Sequence, residues 1–168
     1  IVLPVSASVE ILTVDSAGRV LYDLEDGDVN TLLRVDRTGA PDSGFNGNGQ
    51  LPVPAAAGLI VRPESVALRP GGAGYAVLAE RFPTGGGAPF ATVLWIGDAG
   101  ALTVRDTWIY ADSSGIGVLP DGRVIVPASF GNTLHAVALF GAPPAVPQVS
   151  ATAVSSSRID VRKRLTHT

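Results

Sequence analysis

The chain has 168 residues, 46% of them hydrophobic and 16% charged, with 12 basic and 15 acidic side chains giving a formal charge of −3. That length suits one domain or a few repeat units, and the composition argues against intrinsic disorder. Cys is 0, which excludes disulfides, thiolate metal sites and a cysteine nucleophile. No apolar run approaches the ~20 residues of a membrane-spanning helix.

The charge is uneven. Residues 158–168 carry four basic side chains against Asp160, leaving a body of −6 that is expected to repel nucleic acid and anionic lipid. The chain starts at Ile1, which is read as not a translation start, and no signal peptide is visible.

Three segments read in chain order as strand, tight turn, strand. Ser8–Val14 leads through Asp15–Gly18 to Arg19–Tyr22. Ser65–Arg69 leads through Pro70–Gly74 to Tyr75–Ala79, and Gly115–Leu119 through Pro120–Gly122 to Arg123–Val126. The turn glycines Gly18, Gly74 and Gly122 are 56 and 48 residues apart. A second hairpin follows each first one: Leu32–Val35 into Asp36–Ala40, Val93–Ile96 into Gly97–Ala101, and Val137–Phe140 into Gly141–Pro143. Asp and Gly belong in such turns because the backbone needs φ > 0 or a side-chain acceptor. No stretch carries a sustained helical stripe with caps.

Two hairpins per ~50 residues make a four-stranded antiparallel unit, the blade of a β-propeller. The expectation is all-β, with about three blades over residues 8–61, 62–112 and 113–141, and a Pro/Ser-rich linker over 142–168. An antiparallel sandwich is the alternative. Propellers have 4–8 blades. Three leave raw edges, so a homo-oligomer or protein partner is expected to complete an otherwise incomplete ring. A longer parent protein, or a four-bladed closure using Ile1–Val5 and Gln148–Val154, would also answer this.

The run Arg34–Gly49, with Phe45-Asn46-Gly47 inside it, and the element Pro120-Asp121-Gly122-Arg123-Val124 resemble the delta-sixty repeat of bacterial propeller proteins. The resemblance covers about residues 8–141. Thr103–Trp108 and Pro143–Pro147 depart from its Phe-Gly segment. It implies a propeller fold and export, to an extracellular or periplasmic location, and little about activity. Pro143–Val161 is similar to the first two strands of a fibronectin type III module. The chain stops before the core Trp of such a module, so a truncated module or a plain linker with a basic tail is expected there.

Residues able to carry chemistry are few. His135 lies on an expected strand without Cys or a second nearby histidine, so zinc is disfavoured. With Asp112 or Asp121 and one of Ser113, Ser114 or Ser129 it would form a hydrolase grouping, although none of these serines sits in Gly-x-Ser-x-Gly. The acidic run containing Asp23, Asp26 and Asp28 offers hard oxygens to calcium but lacks the Asp-x-Asp-x-Asp-Gly spacing. Asp42, Asn46 and Asn48 raise the same idea more weakly. Gly71–Gly74 and Gly85–Gly87 lack the Gly-Lys-Ser/Thr element of a phosphate loop. Trp108 and Tyr110, if exposed together, would make a platform for a sugar or a partner, while Trp95 is expected to be buried. The basic Arg162–Arg164 reads as a solvated terminus or a contact for an acidic partner.

The reading that follows is a non-catalytic scaffold or interaction module. A propeller-mouth lyase or hydrolase acting on a glycan or peptide is one alternative, and a glycan-binding or adhesive module another. No cofactor is expected beyond calcium.

Overall fold

The computed structural model describes residues 8–55, 58–106, 115–130 and 133–139. Sheet I contains β1 (Ser8–Val14), β2 (Val20–Asp26), β3 (Val29–Val35) and β4 (Gln50–Pro52). Sheet II contains β5 (Leu59–Leu68), β6 (Tyr75–Pro83), β7 (Phe90–Ile96) and β8 (Leu102–Asp106). Both run in simple chain order, each strand antiparallel to the last. Sheet III places β10 (Val124–Phe130) between β9 (Gly117–Val118) and β11 (Thr133–Leu139). The protein is therefore all-β, with one 3₁₀ turn among the described residues, at Pro70–Gly72. Sheet III has three strands among the described residues, and the described strands close into no barrel or ring.

The second sheet starts earlier than the sequence suggests. β5 runs from Leu59 rather than Ser65 and passes through Pro63. Proline is tolerated there because β5 is an edge strand. A bulge between Pro63 and Ser65 then resets the register.

Four connections share one hairpin turn: Asp15–Arg19, Asp36–Ala40, Gly97–Ala101 and Leu119–Arg123. In each, the first N–H donates to the fifth carbonyl, and the fourth N–H donates back to the first carbonyl. The fourth residue is always glycine, with φ between 74° and 86°, the left-handed bulge position of a three-residue hairpin loop. This recurrence is why the turns were legible in the sequence.

Alternation of side chains decides how the sheets stack. Tyr75, Val77 and Ala79 of β6, with Leu94 and Ile96 of β7, share a core with Leu21, Leu32, Phe45, Leu51 and Val53 of sheet I. The intervening Ala76, Leu78, Ala91, Val93 and Trp95 share a second core with Val124 and Val126 of sheet III. Sheet II is thus covered on both faces. Its two central strands accordingly carry unbroken apolar runs, as strands buried on both sides do.

The sheets also stack in one sense. The first pairs of the three leading hairpins are Val14↔Val20, Leu68↔Tyr75 and Val118↔Val124. Tyr75 points back toward sheet I and Val124 back toward sheet II. Val20, at the same register position, points away from sheet II, because its neighbour Leu21 faces sheet II.

Candidate functional site

Polar side chains concentrate in the seam between sheets I and II, and the two ends of that seam differ. At the turn end, Arg34 near the end of β3 is only 1% exposed. Its guanidinium lies over the Phe45 ring, 4.6 Å from the centroid. It donates to Asp42 Oδ2 at 2.8 Å and across the seam to Asp98 Oδ1 at 3.0 Å. Arg19 donates to Asp15 Oδ2 at 2.6 Å and to Asp98 Oδ1 at 2.7 Å. Tyr75 of sheet II donates its hydroxyl to Asp15 Oδ2 at 3.2 Å. Two guanidinium groups thus bind three carboxylates contributed by both sheets.

The titrations reflect this pairing. Hydrogen bonds from Arg19 hold the Asp98 carboxyl below its ordinary value. Burial pushes Asp15 upward, but bonds from the Arg19 backbone and side chain and from the Ala17 N–H outweigh it, and Asp15 is also lowered. The bond to Asp98, followed by the bond to Asp15, raises Arg19 against its burial. Burial raises the Tyr75 hydroxyl.

Backbone contacts reinforce the latch. The 41–49 loop inserts Phe45, fully buried, into the shared core, edge-on to Tyr75 at 6.5 Å. The Asn46 N–H donates to Ala99 O of sheet II at 2.9 Å. Gly100 sits so close that a Cβ there would lie 2.7 Å from Asn46 N. At Gly74, with φ 107°, a Cβ would run into the Ile96 carbonyl. The run that carries the repeat resemblance therefore closes sheet I onto sheet II.

Beside this network lies a cavity of about 70 Å³, bordered by Ser16, Arg19, Arg69, Tyr75 and Asp98. It has room for a few waters, far short of the ~300 Å³ of a typical ligand pocket.

At the far end acidic side chains gather, and Arg62 pairs with Glu25 at 3.0 Å. Asp23 is 8% exposed and Asn30 2% exposed. The Asn30 amide donates to Asp23 Oδ2 at 2.8 Å. Burial, with smaller contributions from Glu25, Glu10 and Glu64, pushes the Asp23 carboxyl up to about 6. Glu64 is raised by burial and then by Glu80 and Glu10.

The sequence candidates distribute as follows. Asp23 turns into the seam, whereas Asp26 and Asp28 are exposed at the β2–β3 hairpin. The anticipated Asp23, Asp26 and Asp28 trio is not brought together, because alternation and the turn separate its members. Among the described residues no three His, Cys, Asp or Glu side chains converge as a metal centre. Asp42 is committed to Arg34, while Asn46 and Asn48 bond to the Gln50 backbone and close the loop. Trp95 is 2% exposed, under the Arg69 guanidinium at 5.2 Å.

Trp108, Tyr110, Asp112, Ser113 and Ser114 lie outside the described residues, as does the basic tail. His135 is placed only as a β11 position opposite Ala128. Ala128 is four residues along β10 from Val124, where the Asp121 turn ends, or about 13 Å at the usual strand rise. Asp121 is held low by the Arg123 backbone N–H and side chain.

Sequence reasoning missed Arg34, Arg19 and Asp98 as a unit. Arg34 and Asp98 are 64 residues apart, and no local pattern links them. No protein-family model, curated protein or solved structure matches this chain. No helix among the described residues is long and apolar enough to cross a membrane.

Proposed function

We propose that the chain is a non-catalytic scaffold or interaction module of an exported protein, built of β-propeller blades whose ring is completed by a second copy. The observation that carries this reading is the single sense of stacking. Val20, Tyr75 and Val124 occupy one register position, and the last two face the preceding sheet. Two sheets of a simple two-fold sandwich would instead meet through the same face of their register. Blades around an axis repeat one sense, as these sheets do.

By the same register, the outward face of sheet I is the one that receives a preceding blade. It carries Val20, Tyr22, Leu24, Leu33 and Val35, with Val9 and Ile11 paired alongside at Leu24 and Tyr22. Leu33 and Val35 at its centre are buried, while Val9 and Ile11 on the β1 rim are 41% and 63% exposed. Neither shared core includes any of these seven residues. The complementary face is the far side of sheet III. There Ile125 and Pro127 are partly buried, and Ala138 and Ala136 stand opposite them in the register. Joining that face to the outward face of sheet I in a second copy would close a ring of six sheets.

The test is light scattering on a size-exclusion column. A mass of twice 17.2 kDa, reduced to the single mass by Ile11→Lys, supports the reading. A monomer at all concentrations overturns it.

A further inference from the structure

The seam between sheets I and II is a template for the seam that ring closure would create. Arg19 is the fifth residue of the leading turn of sheet I, one residue before Val20. It donates to Asp98 Oδ1 at 2.7 Å, and Asp98 is the second residue of the β7–β8 turn of sheet II. Alternation brings the two together. Arg19 shares the side of Leu21, which faces sheet II, and Asp98 shares the side of Leu94 and Ile96, which face sheet I.

Sheet III repeats the Arg19 side of this contact on its far face. Its leading turn has the same backbone bonds, with Arg123 as the fifth residue. Arg123 precedes Val124, which faces sheet II, so alternation puts it on the side of Ile125. Asp121 Oδ2 holds its guanidinium at 2.8 Å, and the two side chains are 53% and 46% exposed, open to a further partner. Sheet I repeats the Asp98 side on its outward face, with the sign changed. The β3–β4 turn matches the β7–β8 turn bond for bond, and its second residue is Arg37. Arg37 continues the outward face after Leu33 and Val35 and is exposed. Among the described residues it makes no side-chain hydrogen bond or ion pair. Asp36 stands beside it and uses Oδ1 within its own turn, accepting from the Thr38 and Ala40 N–H groups. Each of the two faces therefore offers an Asp–Arg pair, and two such pairs attract when acid meets base and base meets acid.

We infer that the contact between copies is keyed by these two turns, an inference that rests on the ring-closure reading above. Arg37 of one copy is received by Asp121 of the other, and Arg123 beside that Asp121 by Asp36 of the first. The partner is a second copy of this chain, presenting its β3–β4 turn to the leading turn of sheet III. The pairing occupies the place of the Arg19–Asp98 contact, with the charges exchanged. The apolar faces supply the buried area. Exposed ion pairs add little affinity to such a contact and act mainly on which surfaces meet and in what register.

The experiment measures the dimer dissociation constant of the full chain by sedimentation, at about 0.1 M salt. Arg37→Gln and Asp121→Asn are combined in a double-mutant cycle, and the asparagine keeps an acceptor for the Arg123 N–H. Each single variant should weaken the dimer about tenfold, because a two-fold dimer has two such contacts and each exposed pair is worth about threefold. The double variant should be at most about twofold weaker than either single one. Arg37→Glu, which sets a like charge against Asp121, should weaken the dimer about a hundredfold. Added salt should weaken the parent more than the double variant. Asp28→Asn, on the hairpin at the opposite end of sheet I, should leave the dimer unchanged. A parent that stays monomeric overturns ring closure and the pairing with it. A parent dimer that Ile11→Lys dissociates but Arg37→Glu does not weaken, or a cycle whose losses simply add, keeps ring closure and overturns the pairing.

Discussion

The two ends of one seam solve the same problem in opposite ways. At the turn end, buried charge is admitted because each guanidinium finds carboxylates, and Arg34 also finds an aromatic face. At the far end, carboxylates gather around Asp23 with Arg62 to offset them. A buried charge is tolerated when paired and hydrogen-bonded, and penalised when it is not. The turn end should therefore behave as a latch and the far end as a weak point that a proton relieves.

Breaking the latch should have the largest effect. Arg34→Ala removes the buried guanidinium that joins Asp42 to Asp98 and uncovers Phe45, and should cost about 3–5 kcal/mol in urea denaturation. Phe45→Ala, which empties a fully buried position, should cost a similar amount. The two residues are in contact, so the double variant should lose less than the sum.

Acid titration should separate the two ends by sign. The Asp23 carboxyl is raised to about 6 from an ordinary 3.8. Its burial therefore costs stability at neutral pH, and that cost is removed as pH falls through 6, a gain of at most about 3 kcal/mol. Asp15 and Asp98 are lowered. Their contribution is complete above the ordinary carboxylate value of 3.8 and is lost as pH falls below it. Stability should rise from pH 7 toward 5 and collapse below about 4. Asp23→Asn should abolish the rise and keep the collapse.

Smaller effects sharpen the comparison. Gly100→Ala forces a side chain onto Asn46 at a positive φ, and should cost more than about 1 kcal/mol. Asp28→Asn, on the exposed hairpin, should change stability by less than about 0.5 kcal/mol.

The sequence made some of this architecture legible and hid the rest, for physical reasons. Turns at Gly18, Gly39, Gly100 and Gly122 were readable because one backbone geometry demands glycine at one place. The start of β5 was hidden by Arg62, Pro63 and Glu64, which break an apolar alternation that an edge strand does not need. Phe45 entered the sequence reading only through a family resemblance, which said nothing of its burial. The latch was not legible at all, because its partners meet through stacking of separate sheets. Asp23 was noticed as an acid, but the sequence reading grouped it by neighbours in the chain. The alternation of Leu21, Asp23 and Glu25 on one face, with Glu10 opposite, was the signal that could have separated it from Asp26 and Asp28.

The stacking of sheet I on sheet II is tested most directly by a double-mutant cycle on Arg34→Met and Asp98→Asn, read by equilibrium denaturation. These residues meet only if β3 and the β7–β8 turn are brought together as described. A coupling of about 1–3 kcal/mol is predicted. Additive losses, with coupling near zero, would contradict the latch and the stacking built on it.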